Sequence, residues 1–310
     1  MLDVKRLRIL REVALRGSFS AAAEELYLSQ SAVSQHVATL EREVGMALLE
    51  RTPSGPKLTS AGETLVSHAD AVLCRLEEAE RELAAIAGLE GGRVRLVSFP
   101  TASATLVTRA VSAFRARHPG VELQLGEAEP EDSVPALKRG EFDLALTYDY
   151  PINADDPDRD IERVLLLEEE IQVALPPGHR LARRKSVKLE DLADDDWLTG
   201  VCQGSCRDHV ELLCRRAGFE PRISFESDDA QVLQGLVSAG VGVALLPELA
   251  LTGRHPDLET RPVAGSDPPR RRVWATVLAE GSRAPATDAM IEVLSEVTEG
   301  FRAGELRAAA

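Results

Sequence analysis

Residues 17–62 constrain the fold of this chain more than any other stretch, because short helical segments and turn residues alternate closely there. An amphipathic helix is predicted over about Val4–Arg16, and Gly17 ends it, as a glycine just past a helix C-terminus does. Ser18 or Ser20 is suited to cap a second, short helix. The stretch therefore predicts a small helical domain at the start of the chain.

A third helix is predicted after the N-cap candidate Ser29, and it has one narrow apolar stripe. The stripe is formed, at spacings of four, three and four, by Val33, Val37, Leu40 and Val44. The exposed N-terminal half carries small polar side chains instead, namely Gln30, Ser31, Ser34 and Gln35. These side chains suit a DNA major groove, where glutamine bonds adenine through two hydrogen bonds and serine serves several bases. A helix that is merely solvated would normally carry Lys and Glu on that face, so we interpret this one as the recognition helix of a helix-turn-helix.

A basic loop follows the third helix. Arg51 and Lys57 bracket the sequence TPSGP, whose proline and glycine residues favour a tight turn. Cations beside such a tip predict a wing that contacts the phosphate backbone or the minor groove. Residues 1–62 are therefore predicted to form a winged helix-turn-helix that binds DNA.

The segments GSFSAAA, LSQSAVSQHVATLE and LTSAG resemble the DNA-binding domain of LysR-type transcriptional regulators. The resemblance implies a homodimer or homotetramer that binds interrupted palindromic sites in double-stranded promoter DNA, acts on RNA polymerase and responds to a small-molecule effector. One departure is Gln35, where the family often has Arg, so the family's usual base preference does not carry over to this chain.

A long helix with a single apolar stripe is predicted over residues 63–87, which contain neither Gly nor Pro. The stripe has the heptad spacing of a coiled-coil seam and consists of Leu65, Ala69, Val72, Leu76, Ala79, Leu83 and Ile86. From the pattern alone, the stripe packs either on a partner chain or on the effector domain of its own chain. The resemblance favours the partner chain, since LysR-type regulators dimerise through this helix. Residues 63–90 are therefore interpreted as a linker and dimerisation helix followed by a glycine hinge.

The charge of the chain is unevenly distributed. The net charge is −15, but residues 1–62 hold eight Lys/Arg against seven Asp/Glu, or +1, which leaves −16 for residues 63–310. DNA affinity is therefore expected to depend on locally placed cations and on dimerisation. No apolar run approaches a membrane span and no signal-peptide pattern is present, so we expect a cytoplasmic protein without a membrane partner. No motif of an enzyme, a cofactor site or a metal site stands out, and the chain is not expected to be an enzyme.

Residues 91–310 alternate strands and helices, which indicates parallel α/β layers. The pattern divides into two Rossmann-like subdomains with a cleft between them, similar to periplasmic binding proteins. Subdomain I is predicted over about 91–163 plus 268–302, and subdomain II over about 164–267. The segments FDLALTY, LPPGHRLA and VSAGVGVALLP resemble effector domains of the LysR type. The expected fold class is thus α/β, preceded by the winged helix-turn-helix and the linker helix.

Hydroxyl groups follow several predicted strands of this region, where ligands of open α/β sheets bind. The candidate effector-binding residues are Ser98, Thr101, Ser103, Thr147, Thr199, Cys202, Gln203 and Ser227. Thr101 opens a predicted helix, and the free N–H groups of a helix N-terminus favour an anion. We therefore expect a small ligand with a carboxylate or similar acceptor, although ordinary capping accounts equally well for any single residue in the set.

Four cysteines leave a second hypothesis open. The segment GSCRDHVELLC resembles the region where peroxide-sensing members of the family keep two cysteines, so Cys206 and Cys214 are candidates for a thiol-based redox sensor. Arg207 beside Cys206 would favour its thiolate. Cys214, in turn, falls at a position where a small buried core residue is expected. The spacing of Cys202, Cys206, His209 and Cys214 fits no common zinc site.

Overall fold

A computed structural model describes residues 2–52, 55–86, 92–151, 158–201, 205–279 and 283–302. The chain divides into two compact units, one that contains Met1–Glu90 and one that contains Gly91–Leu137 and Phe142–Ala310. Among the described residues, no helix is both long and apolar enough to cross a membrane.

The first unit begins with three helices, α1 (Val4–Arg16), α2 (Phe19–Glu25) and α3 (Gln30–Val44). The predicted signals end and begin these helices: Gly17 adopts a left-handed φ of 59° after α1. The hydroxyls of Ser18 and Ser29 accept the amides of Ala21 and Ala32 at 3.4 and 3.2 Å. A shared core that includes Leu10, Val13, Ala22, Val33 and Leu40 holds the three helices together.

The wing is a two-stranded antiparallel hairpin of β1 (Leu49–Thr52) and β2 (Gly55–Leu58), in which Glu50 lies opposite Lys57. Glu41 of α3 anchors it, because one carboxylate oxygen accepts the amides of Leu48 and Leu49 at 2.9 and 3.2 Å. The wing is therefore attached directly to the recognition helix, as a single DNA-binding surface requires.

A long helix, α4 (Ser60–Ile86), follows the wing, in agreement with the predicted linker helix. The predicted seam is not uniform along it. Leu65 and Ala69 pack into the core of their own unit, whereas Val72 and Leu76 are 41% and 44% exposed. The expectation that the whole stripe forms a dimer seam is therefore wrong for its first turns, which α1 covers. The side chains of Leu83 and Ile86 lie outside the described residues.

In the second unit, subdomain I has a parallel core of three strands, β3 (Gly92–Ser98), β4 (Val121–Glu127) and β5 (Leu144–Asp149), paired in the order β4–β3–β5. A helical stretch follows β3 and consists of α5 (Pro100–Ala102), a π-helix (Ser103–Val107) and α6 (Thr108–Arg117). This stretch packs with the last helix, α10 (Pro285–Arg302), on one face of the sheet. The other face is covered by α7 (Pro130–Lys138) through Leu137.

Subdomain II repeats this layering around β7 (Asp196–Thr199), β8 (Arg222–Glu226) and β9 (Val243–Pro247), paired in parallel in the order β9–β7–β8. Successive residues of β9 alternate between two helices. Val243 and Leu245 pack with α8 (Ser205–Arg216), while Ala244 and Leu246 pack with α9 (Ala230–Ser238). The strand period of two thus separates the two apolar layers.

One long strand, β6 (Ile161–Leu175), belongs to both subdomains. It runs antiparallel to β11 (Arg270–Leu278) on one side, and to β9 and β10 (Glu259–Pro262) on the other. The sheet is therefore mixed and continuous, which corrects the expectation of purely parallel layers. Only the last five residues of β6 were predicted as a strand, because the charges at 162, 163 and 168–170 hid its earlier part.

Two glycines of subdomain II provide a matched test of this packing. A Cβ at Gly242, just before β9, would lie 2.3 Å from the backbone oxygen of Asp196, whereas one at Gly235 in α9 meets nothing within 4 Å. We expect Gly242→Ala to lower the free energy of unfolding by about 1–3 kcal/mol through overpacking. Gly235→Ala should raise it by about 0.4–1 kcal/mol, because alanine loses less backbone entropy on folding.

Urea unfolding followed by tryptophan fluorescence measures both effects, since the only two tryptophans, Trp197 and Trp274, lie in this unit. Equal stability of the two alanine variants would contradict the close backbone approach at residue 242.

Candidate functional site

The N-terminal half of α3 presents a polar surface opposite its buried stripe. Val33, Val37 and Leu40 are buried, while Gln30, Ser31 and Gln35 are exposed and Ser34 is half-buried. Lys57 is exposed on the wing, and Arg51 lies in β1 opposite Pro56 although its side chain is outside the described residues. The predicted base-facing and backbone-facing residues thus lie on α3 and on the hairpin that Glu41 anchors to it.

Tyr27 adds a feature that the sequence analysis did not single out. It lies in the turn before α3, is 96% exposed and is the one non-glycine residue with a positive φ, 53°, in the described part of the chain. A left-handed tyrosine costs roughly 1–2 kcal/mol. A phenol in that place, three residues before Gln30, has the reach and the donor to contact a phosphate.

In the second unit, a cavity of about 60 Å³ lies between the two subdomains. Phe99, Thr101, Glu129 and Tyr148 of subdomain I line one side of it. Thr199, Cys206, Ser227 and a set of apolar residues of subdomain II line the other. Arg271 of β11 lines it as well, so the cavity joins groups of both charges to aromatic and apolar walls.

Arg271 is buried and forms an ion pair with Glu169 of β6, its direct partner in the β11–β6 register. Its Nε and Nη2 lie 2.7 Å from Oε1 of Glu169, and Nη2 also donates to the hydroxyl of Thr101 at 3.1 Å. The guanidinium carbon lies 5.0 Å from the ring centroids of Phe99 and of Tyr148, where cation–π attraction adds to the pair. Burial raises the pKa of Glu169, and the neighbouring guanidinium opposes that shift.

This ion pair also connects the subdomains. The second oxygen of Glu169 accepts the amide of Leu249, at 2.7 Å, from the helical turn Glu248–Leu251 of subdomain II. On the other side, Thr101 begins the helical stretch of subdomain I. The Glu169–Arg271 pair therefore hydrogen-bonds both walls of the cleft from its floor.

Glu129 is the second charged group of the cavity. Its Oε2 accepts the hydroxyl of Tyr148 at 2.9 Å, which is its one hydrogen bond in the described part of the chain. Burial raises the pKa of Glu129 to about 7, with the nearby carboxylate of Asp228 adding to the shift and Tyr148 and Arg271 opposing it. A carboxylate this poorly solvated would gain from a cation or a donor in the cavity.

A tyrosine, a thiol and an imidazole form the wall below. The ring of Tyr150 stacks on His209 with centroids 3.9 Å apart, and the Tyr150 hydroxyl bonds Cys206. Burial raises the pKa of Cys206 and raises that of Cys214 to about 12. Burial also lowers the pKa of His209 to about 4, so this cluster is neutral near pH 7. All three side chains thus act as packing groups rather than as charges.

The predicted effector residues do not all meet at the cavity. Thr101, Thr199 and Ser227 line it, whereas Ser98 and Ser103 line a separate groove along β4 and α6. Thr147 bonds the hydroxyl of Thr276 at 2.7 Å inside the sheet. This corrects the expectation that Ser98, Thr101 and Thr147 converge on one ligand. Cys202 and Gln203 lie outside the described residues.

The residues that the sequence analysis missed are the aromatic and charged ones. At two strand ends the missed residue directly follows the predicted one: Phe99 follows Ser98 and Tyr148 follows Thr147, and adjacent strand residues face opposite sides of a sheet. Arg271 carried a usable signal, since it is in phase with the apolar Val273, Ala275 and Val277. A charge on the apolar face of a strand indicates a buried partner or a site.

The helical arrangement at the N-terminus and the two-subdomain unit each have counterparts among known proteins. Residues 4–63 match the bacterial regulatory helix-turn-helix proteins of the lysR family, and residues 87–299 match the LysR substrate binding domain. The chain belongs to the LysR family of transcriptional regulators. It therefore combines the family's DNA-binding helix-turn-helix with its effector-binding domain.

One LysR relative is the transcriptional dual regulator GltC of Bacillus subtilis, which is 34% identical over 248 residues, 80% of this chain and 81% of that protein. Among solved structures, a point variant of full-length OxyR from Pseudomonas aeruginosa matches with a TM-score of 0.74 and 24% identity, covering 96% of this chain and 95% of that one. CbnR in complex with its target DNA matches with a TM-score of 0.67 and 24% identity, covering 96% and 100%. These structures share the fold of the chain.

The buried carboxyl of Glu129 gives this LysR regulator a defined pH dependence. Because its pKa is raised from 4.5 to about 7, its contribution to stability is present below about pH 4.5 and is lost as the pH rises through 7. Glu129→Gln keeps an acceptor for Tyr148 without the charge. We expect the variant to match the parent near pH 5 and to be more stable by about 1–2 kcal/mol near pH 8.

Unfolding of both proteins across this pH range, followed by tryptophan fluorescence, measures the difference. Glu127→Gln is the control, because Glu127 is exposed outside the cavity. A stability gap that is the same at both pH values would show that Glu129 is not desolvated.

Proposed function

We propose that this regulator recognises its promoter sites by inserting the N-terminal half of α3 into the major groove. Gln30, Ser31, Ser34 and Gln35 would read bases there, and Arg51 and Lys57 of the wing would hold the phosphate backbone. The observation that carries this proposal is the polar, exposed half of α3 directly opposite Val33, Val37 and Leu40, which are buried. Glutamine and serine are neutral, so they supply sequence discrimination while affinity depends on the few cations nearby.

Two single substitutions separate these roles. Gln35→Ala should cost roughly 1–3 kcal/mol on the preferred site and relax the base preference at one position of each half-site. Lys57→Ala should weaken binding to all sequences about equally and reduce the salt slope by about 1. Selection from random duplexes, followed by titrations at several salt concentrations, measures both. An unchanged preference profile for Gln35→Ala would mean that a different face of α3 meets the bases.

We further propose a homodimer, or a homotetramer built from dimers, held together by the exposed part of the α4 stripe. Val72, Leu76 and Ala79 lie at spacings of four and three residues and are exposed, in contrast to Leu65 and Ala69. A helical stripe of this kind gains stability when it is buried against a second copy. Two linked α3 helices would then bind the two halves of an interrupted palindrome.

Burying charge in this stripe tests the dimer. Val72→Asp together with Leu76→Asp should yield monomers and weak operator binding, because an unpaired buried carboxylate costs several kcal/mol. The matched control is Ser67→Asp with Ala71→Asp, a pair at the same spacing on another exposed face of α4. Sedimentation velocity distinguishes the two double variants. A dimer that survives the first pair as well as the second would place the interface elsewhere.

The effector-binding domain is proposed to take a small molecule in the cleft cavity around Arg271. The hydrogen bonds from Glu169 and Arg271 to Leu249 and Thr101 support this, because a ligand between the walls would change the interactions that set their separation. A ligand that binds one arrangement of the subdomains better than another shifts the population between them. The resulting change in the dimer or tetramer on DNA would alter promoter access for RNA polymerase, from the cytoplasm in which the regulator is expected to act.

A thiol-based redox sensor with Cys206 and Cys214 is the alternative, and the geometry argues against it. Both cysteines lie on α8, eight residues apart, so they are separated by about 12 Å along the helix axis. A disulfide needs Cα atoms within about 7 Å of each other, so α8 would have to unfold. The raised pKa values of both thiols also disfavour the reactive thiolate near neutral pH.

A further inference from the structure

The charge balance of the cleft cavity restricts what it can bind. Three ionisable residues that line it are Arg271, Glu129 and Asp228, and Glu169 lies directly behind Arg271. Since the Arg271–Glu169 pair is balanced, Glu129 and Asp228 leave the cavity with an excess of negative charge. A simple anion would therefore enter against repulsion, in spite of the arginine.

The cavity nevertheless offers donors that suit a carboxylate. The recorded hydrogen bonds of Arg271 use Nε and Nη2, so Nη1 has no acceptor among the described residues. The hydroxyl of Thr199 is 3% exposed, lines the cavity and likewise has no partner there. A buried hydroxyl without a partner costs free energy, which a ligand oxygen would recover.

The acceptors stand on the other side of the requirement. Glu129 has one oxygen bonded to Tyr148 and a second without a recorded donor. Asp228 uses Oδ1 to accept the amide of Val201 at 2.9 Å. An ammonium group, with three donors and a full charge, matches two carboxylates of this kind.

From this juxtaposition we propose that the cavity binds a small α-amino acid, with its carboxylate at Arg271 and Thr199 and its ammonium at Glu129 and Asp228. The inference rests on the proposed effector site and names the chemical class of its ligand. A ligand with both charges satisfies both groups of side chains and leaves the net charge of the cleft unchanged. Neither a plain carboxylic acid nor a plain amine does both.

Size and lining narrow the class further. A cavity of about 60 Å³ holds roughly four or five water molecules, at about 10–15 Å³ each. The subdomain II wall beside it is aliphatic, with Leu233, Leu245 and Leu246. The side chain of the amino acid is therefore expected to be short and uncharged.

The experiment is a binding titration of the full-length protein with the standard L-amino acids, read by thermal shift and calorimetry. Each amino acid that binds is compared with its 2-oxo acid, which lacks the ammonium, and with its decarboxylated amine. We expect a short aliphatic amino acid to bind and both analogues to bind at least about tenfold more weakly, the loss that follows from about 1.4 kcal/mol.

Variants then locate the contacts. Glu129→Gln should weaken the amino acid at least about tenfold and leave the 2-oxo acid equal or tighter, which removes the discrimination between them. Thr199→Val should weaken both acids. Glu127→Gln, outside the cavity, should change neither.

Three results would overturn the inference. Equal binding of the 2-oxo acid and the amino acid by the parent protein would remove the role of the ammonium while leaving a cleft effector in place. Binding that neither Glu129→Gln nor Thr199→Val alters would place the ligand outside the cleft, and the proposed effector site would fail as well. Failure of every amino acid to bind would reject the class, and the DNA-binding proposal would stand or fall on its own substitutions.

Discussion

The ion pair between Arg271 and Glu169 is the interaction on which the effector domain depends. Each charge lies on the buried face of its strand, Arg271 in phase with Val273 and Glu169 in phase with Leu167 and Ile171. Leaving either one buried and alone would cost about 3–5 kcal/mol. A shift of β6 by one residue would turn Glu169 to the opposite face. The pair therefore stabilises one register of the strand that both subdomains share.

The helix-turn-helix could be predicted closely from the sequence because its determinants are local. Gly17, Ser18 and Ser29 act on helix ends within three or four residues of themselves, and the stripe of α3 follows from the helical period. Strand β6 could not be predicted in the same way. Its charged residues are favourable there only because β11 supplies Arg270, Arg271 and Arg272 opposite 168–170, about a hundred residues later in the chain.

The cleft illustrates a second limit of sequence reasoning, which is strand phase. Hydroxyl residues at strand ends indicated the correct edge of the sheet, yet at Ser98 and Thr147 the side chains that face the cavity belong to the next residue. A single step along a strand reverses the face, and nothing local to FDLALTY or RLVSF reveals which face a ligand would use. Thr101 and Thr199 escaped this error, so hydroxyls at strand ends located part of the cavity wall without identifying its charged members.

The same contacts that shape the cavity are those a ligand would compete for, and this couples ligand binding to the arrangement of the subdomains. A carboxylate at Thr101 or Arg271 replaces part of the bond between them, while the Glu169 bond to Leu249 lies behind the guanidinium. A ligand gains only the difference between its own contacts and those it displaces, so tight binding requires a subdomain arrangement that keeps both sets. Whatever arrangement the ligand favours must in turn raise the affinity for the ligand, since the coupling between two sites is reciprocal. The buried pair is therefore suited to convert occupancy of a small cavity into a preference between two states of the whole domain.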